Sequence, residues 1–151
     1  MSDIKITRVS EIDQNLIDLL NKTFKKGEPD GKSGDWVLEN TQKFIKNPNN
    51  IFLLAYFDNQ IAGMISAYKL QRMDDKESEM FFYEIGVSKQ FRQKGIGKAL
   101  IEELKRIAKE LGINEMFVLT NRSNLPAMKL YESTGGVVSK ETDEVMFEYK
   151  L

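Results

Sequence analysis

The sequence predicts a single α/β domain built on a mixed, mostly antiparallel sheet flanked by helices. Three observations carry this. Short apolar runs of β character alternate along the chain with segments whose apolar residues recur at spacings of three and four. Two strand candidates in the first half are joined by Asp58-Asn59, a hairpin turn. No internal repeat, low-complexity stretch or linker divides the 151 residues, so 1–151 reads as one domain with chain enough to bury a real core.

Each element has its own signal. Ile4-Lys5-Ile6 alternates and predicts a first strand. Ser10 precedes a helical stripe (Ile12, Leu16, Leu19, Leu20, Phe24), with Asp13 three residues on as an imperfect capping box. Residues 27–34 form a polar, proline-containing loop. Trp36, Leu38, Phe44 and Ile45 predict a second short helix that ends before Pro48, because a proline drives the preceding residue out of the α region. Residues 51–57 and 61–70 are the two hairpin strands, and 72–78 is a charged loop. Met80-Phe81-Phe82-Tyr83-Glu84-Ile85-Gly86-Val87 reads as a central strand. After it, Ile96, Leu100, Leu104, Ile107 and Leu111 mark a long helix that Gly112 stops. Residues 116–119 are the next strand, Pro126 suits the first turn of a helix over 125–134, and Gly135-Gly136 turns the chain. Val137-Val138 and residues 145–149 are expected to close the sheet.

Absences restrict the chemistry. With no Cys there is no disulfide, no thiolate nucleophile and no covalent acyl-cysteine intermediate. With no His, the commonest general base and the commonest zinc ligand are both missing, so no metal site is expected. Acid–base work falls to Glu, Asp, Tyr, Lys or water. A net charge of −1 argues against a nucleic-acid partner. No apolar run reaches membrane-spanning length and the N-terminus lacks signal-peptide character, so a cytoplasmic location with no membrane partner is expected.

The segment from Gln90 to Leu100 is chemically the most telling. Its two glycines, Gly95 and Gly97, sit where a strand becomes the first turn of a helix. There several main-chain N–H groups converge, backed by the positive end of the helix dipole, and such a corner holds phosphate. Glycine lets the phosphate approach the main chain and permits positive φ. Lys89, Arg92, Lys94 and Lys98 make the segment basic, with Lys105, Arg106 and Lys109 further along. Leu100 replaces the third glycine of a dinucleotide fingerprint, and no Gly-Lys-Ser/Thr end marks a P-loop. A phosphate cradle of another pattern remains.

Arg92-x-x-Gly95-x-Gly97 resembles the acetyl-coenzyme A motif of the GNAT superfamily of N-acetyltransferases. Asn124-x-x-Ala127-x-x-x-Tyr131-x-x-x-Gly135 resembles that superfamily's C-terminal pattern, with Gly136 standing where many members have an aromatic residue. Ser78-Glu79, then Tyr83 to Val87, then Asp143-Glu144-Val145-Met146 look most similar to the class I aminoglycoside 3-N-acetyltransferases. The resemblance implies a GNAT fold, acetyl-coenzyme A as cosubstrate, and direct transfer of the acetyl group to a primary amine. An aminoglycoside 3-amino group is the acceptor it suggests. A polyamine, an amino acid or a protein amine is the alternative, as is a non-catalytic module that senses acetyl-coenzyme A.

The same resemblance distributes roles. Main-chain N–H groups of Gln93, Lys94, Gly95, Gly97 and Lys98 are expected to bind the pyrophosphate, with Arg92 adding charge or bracing the turn. Backbone groups of Ile85 and Val87 are expected to bond the pantetheine arm at an edge freed by a splay between strands. Tyr131 is expected to place its hydroxyl at the cofactor sulfur, and Asn124 to contact the pantetheine arm or cap its helix. Glu84, a carboxylate inside an apolar strand, is costly to bury unless paired or used, and is expected to be the base or a substrate anchor. Glu79, Asp143 and Glu144 are expected to bind a cationic substrate. Relatives of this kind often pair, so a homodimer is a further expectation.

Overall fold

A computed structural model describes residues 3–24, 34–139 and 143–151. Apart from Gly34, the loop expected over 27–34 lies outside the described residues. Strand β1 (Ile4–Arg8) pairs antiparallel with β2 (Asn50–Phe57), β2 with β3 (Gln60–Leu70), and β3 with β4 (Glu79–Val87). Strand β5 (Glu115–Phe117) joins β4 in parallel, which gives the order β1-β2-β3-β4-β5. The expected hairpin is present: Asp58 and Asn59 both take positive φ (47° and 67°), the geometry that matches strand twist in a two-residue turn.

Helices cover both faces. On one side, α1 (Gln14–Thr23) and α2 (Leu38–Lys46) enclose a core that includes Ile17, Leu20, Phe52, Leu54 and Met64. On the other, α3 (Ile96–Glu110) lays Ile96, Leu100, Leu104 and Ile107 against Leu53, Ile65, Met80 and Phe82. A second helix on that side, α4 (Leu125–Ser133), packs Leu130 and Tyr131 on the same cluster. The apolar stripe read from the sequence is thus the buried face of α3. The cap of α1 differs from expectation. Asp13, rather than Ser10, is the N-cap, its carboxylate accepting from Leu16 N at 2.8 Å, because the helix starts at Gln14, two residues after the apolar pattern begins at Ile12.

One glycine sets how closely α3 approaches the sheet. A Cβ on Gly63 would lie 2.7 Å from Ile96 Cγ2 and 3.1 Å from Leu100 Cδ1. The first turn of α3 therefore rests directly on β3. Gly63→Ala should overpack this contact and lower stability by about 1–3 kcal/mol, read as a shift in the denaturation midpoint. The far end of α3 closes as expected. Gly112 takes φ +75°, its N–H bonds Lys109 O, and Ile113 N bonds Ala108 O at 2.8 Å.

The C-terminal expectation needs correction. Residues 137–139 and 143–151 form no strand, and Val145, Phe147 and Tyr149 are 75%, 79% and 84% exposed. Alternating residues become a strand only where a neighbour offers hydrogen bonds and a face to bury. Strand β5 offers a ladder of three residues.

Candidate functional site

The strand–glycine–helix corner is built around Phe91. A single 3₁₀ turn over Lys89–Phe91 buries the Phe91 ring against Phe57 at 5.4 Å and so anchors the segment that follows. Gln93 (φ 61°) and Gly95 (φ 82°) then bend the main chain, and α3 begins with Gly95 as its N-cap without any side-chain cap. The first main-chain bond of the helix runs from Ala99 N to Gly95 O. Among the described residues, the amides from Gln93 to Lys98 donate to no main-chain acceptor. That is a row of unsatisfied donors at the positive end of a helix dipole.

The two glycines do different work. Gly95 holds the left-handed conformation at an open mouth, where a Cβ would have no heavy atom within 4 Å. Gly97 is buried, and a Cβ there would meet Leu130 Cδ2 at 3.0 Å. Its lack of a side chain admits α4 rather than clearing a path for phosphate. A bulky residue at Gly97 would thus push on the α3–α4 contact as well as on any ligand. The basic residues also divide. Arg92 Nε donates to Val87 O at 3.4 Å and braces the turn, and Lys94 Nζ lies 5.5 Å from the Phe57 ring centroid. Arg106 is engaged with Glu103 and Glu110, and Lys105 with Glu102 and Thr134 O, so neither serves the corner.

From this corner a free strand edge leads inward. The β4–β5 register ends at Phe81–Phe117, and no described strand pairs with β4 beyond it on that side. Ser88 N donates to Ala62 O at 2.8 Å, which makes those two a hydrogen-bonded pair. The antiparallel alternation then turns the main-chain groups of Val87 and Ile85 away from β3, toward the open side. At the fork Tyr131 packs edge-on against Phe82, ring centroids 5.5 Å apart. Burial raises the Tyr131 pKa above the usual phenol value, so the hydroxyl keeps its proton through neutral pH.

Helix α4 is fixed at both ends. Asn124 is its N-cap, the amide oxygen accepting from Ala127 N at 3.2 Å. At the C-terminus Gly135 takes φ +93°, its N–H bonds Glu132 O, and Gly136 N bonds Tyr131 O at 2.8 Å. A Cβ on Gly136 would lie 2.8 Å from that same carbonyl oxygen. Gly136, the departure from the superfamily pattern noted in the sequence, therefore closes the helix directly onto Tyr131. Lys105 Nζ adds a bond to Thr134 O at 2.7 Å and ties the helix end to α3.

Glu84 reaches the opposite face of β4 because the strand is irregular. Ser66 lies opposite Glu84 and Ala67 opposite Phe82, which leaves Tyr83 as an extra residue, a β-bulge. Strict alternation would send Glu84 to the side of Met80 and Phe82, under α3. The bulge resets the alternation: Ile85 and Val87 move to the α3 side with Phe82, whereas Tyr83 and Glu84 line one cavity under α2. That cavity measures about 250 Å³. A larger one, about 890 Å³, opens on the other side beside β5 and α4, where Tyr131, Phe82 and Glu144 line it.

Comparison with known proteins agrees with this architecture. The family model described as the acetyltransferase (GNAT) family matches residues 14–136. The chain belongs to the GNAT family. GNAT relatives include N-acetyltransferase 8 of Homo sapiens, 26% identical over 95 residues, which are 63% of this chain and 42% of that protein. The chain thus spans less than half the length of that relative. An uncharacterized N-acetyltransferase, YycN, of Bacillus subtilis is 27% identical over 128 residues, covering 76% of this chain and 79% of that one. Among solved GNAT structures, the aminoglycoside acetyltransferase meta-AAC0020 from an uncultured soil metagenomic sample, in complex with trehalose, superposes with a TM-score of 0.82. It is 26% identical, over 98% of this chain and 96% of that one. The aminoglycoside acetyltransferase AAC(6')-Iy shares the fold (TM-score 0.75, 22% identity, 99% of each chain).

The corner fits the acetyl-coenzyme A that GNAT membership implies. Consecutive free amides suit a diphosphate, and the outward-turned main chain of Val87 and Ile85 suits an amide-bearing arm. The remaining candidates are scattered. Glu79 begins β4, five residues or ~16 Å along the strand from Glu84. Asp143 and Glu144 lie on the exposed C-terminal segment, and Glu144 and Glu84 line different cavities on the two sides of the sheet. Asp35, Trp36, Tyr68 and Tyr83, which the sequence did not single out, share the Glu84 cavity. The order Tyr83-Glu84 within an apolar strand was the one available hint.

Proposed function

We propose that this GNAT protein transfers the acetyl group of acetyl-coenzyme A directly to a primary amine, with Glu84 and Tyr131 handling the protons. The observation that carries the reading is the continuity of one track. It runs from the free amides of Gln93 to Lys98, along the open edge at Val87 and Ile85, to the fork where Tyr131 packs on Phe82. Acetyl-coenzyme A supplies an activated carbonyl and a thiolate leaving group. The amides of Gln93, Lys94, Gly95, Gly97 and Lys98 hold the diphosphate, Arg92 braces their turn, and the main chain of Ile85 and Val87 aligns the arm. Asn124 acts by capping α4 and so placing Tyr131.

Glu84 stands two residues from Phe82, ~7 Å along the strand, on the face away from Tyr131. From there it accepts, directly or through water, the proton an ammonium must lose before its nitrogen lone pair can attack the carbonyl. After attack the nitrogen gives its second proton to water; as the C–S bond breaks, the Tyr131 hydroxyl donates its proton to the departing sulfur and is restored from solvent. No residue is acylated, which suits a chain without Cys or His.

Two pointers give aminoglycosides a place on the acceptor panel. The motif resembles the 3-N class, and meta-AAC0020 is also known in complex with sisomicin, at 25% identity. Glu79, Asp143 and Glu144 would then act as outlying carboxylates for a polycation. The test is release of free thiol from acetyl-coenzyme A with aminoglycosides, polyamines, amino acids and simple amines. Amine-dependent release is expected. Cofactor binding with no release for any amine would replace the enzyme by a sensor.

A further inference from the structure

The cavity behind the β4 bulge has a composition that selects its occupant. Five aromatic residues border it: Trp36, Phe44, Phe52, Tyr68 and Tyr83. Its charged lining is two carboxylates, Asp35 and Glu84, with no Lys or Arg among the described lining residues. The rings form an edge-to-face series, Phe44 to Tyr68 at 5.3 Å and 86°, then Tyr68 to Tyr83 at 6.0 Å and 78°. Such contacts fix ring orientation and leave faces directed elsewhere. Tyr83, the bulged residue, is 61% exposed, and Tyr68 is half-buried. Burial, with Tyr83 and Glu84 nearby, raises the Tyr68 pKa, so its ring is a neutral phenol at working pH. The Thr41 hydroxyl already donates to Val37 O at 2.9 Å and has no proton left to offer a ligand.

We infer that this cavity is a cation-selective acceptor pocket in which the faces of Tyr68 and Tyr83 set specificity, and that its ligand is the ammonium end of an alkyl or arylalkyl amine. The inference rests on the acetyl-transfer reading and names the acceptor class for that site. Aromatic faces within ~6 Å attract an ammonium, and two carboxylates reinforce the sign. Val37, Phe52 and Met64 complete an apolar wall for a hydrocarbon body. A hydroxyl-rich amino sugar would bury donors and acceptors against that wall, each costly without a partner. At about 250 Å³ the space lies below the usual range for drug-sized ligands, ~300–1,000 Å³, and suits a compact amine.

Trp36 is the chain's one tryptophan, so intrinsic fluorescence reports on this cavity. The full-length protein should show saturable fluorescence change with choline and none with 3,3-dimethylbutan-1-ol, which has the same shape without the charge. Y83L should weaken choline binding about tenfold, whereas Y83F, which keeps the ring face, should bind as the parent does. Y68L and Y68F should differ from each other in the same way. In thiol release, 2-phenylethylamine should exceed kanamycin in kcat/KM by at least tenfold. Equal binding of choline and the alcohol, equal loss in the Leu and Phe variants, or a preference for kanamycin would each overturn the pocket assignment. Choline binding without thiol release from any amine would leave the pocket standing and overturn the transferase reading instead.

Discussion

Replacing Glu84 by Gln should lower kcat by a factor of about 10²–10⁴ while acetyl-coenzyme A binds as before. The reason is geometric. The bulge at Tyr83 puts Glu84 on the α2 face of β4, and the proposed donor track runs along the strand's open edge and the corner beyond. Gln preserves size and hydrogen-bonding reach but cannot take a proton at neutral pH. The choice of kinetic constant separates two roles. A base lost from the transition state lowers kcat and kcat/KM together, whereas a lost anchor raises the KM for the amine with kcat held. Calorimetry with coenzyme A alone supplies the control. Undiminished kcat in E84Q would remove Glu84 from proton transfer.

Gly95→Asp should abolish most of the affinity for coenzyme A. Gly95 sits at φ 82° with open space where a side chain would begin, so substitution there adds a group at the mouth of the amide row without a clash inside the fold. Asp and Asn tolerate the left-handed region better than other residues, so the backbone survives in both G95D and G95N. They differ by one negative charge. A carboxylate within several ångströms of a diphosphate costs at least ~1.4 kcal/mol near a protein surface, a tenfold loss or more that salt should partly relieve. G95N should bind within a few-fold of the parent. Equal affinities for G95D and G95N would mean that the diphosphate does not approach this corner. Gly97 is the poorer probe, since its missing side chain accommodates Leu130.

Much of this was legible in the sequence because local chemistry dictated it. Asp58-Asn59 specifies a tight hairpin, Gly112 and Gly135 specify left-handed helix ends, and the Ile96–Leu100–Leu104–Ile107 stripe specifies which side of α3 is buried. The corner with its row of free amides was legible for the same reason, as a glycine pair at a strand-to-helix junction. The bulge was not. Residues 80–87 are apolar almost throughout, so no alternation marks the register, and the extra residue emerges only from pairing with β3. Without the bulge the face reached by Glu84 could not be assigned, nor could its neighbours Trp36 and Tyr68, which arrive from distant segments. Residues 145–149 misled in the opposite sense, since a largely apolar, β-forming run there finds no partner strand among the described residues.

The bulge also partitions the labour of the sheet. Ile85, Val87 and the α3 corner belong to one packing cluster, and Met64, Phe44 and Trp36 to another, with β4 as the wall between them. Substitutions more than ~7–10 Å apart with no shared partners combine additively. A change at Trp36 or Phe44 should therefore leave the affinity for coenzyme A almost untouched. One scaffold can accordingly be retuned to new acceptors while its acetyl supply stays constant.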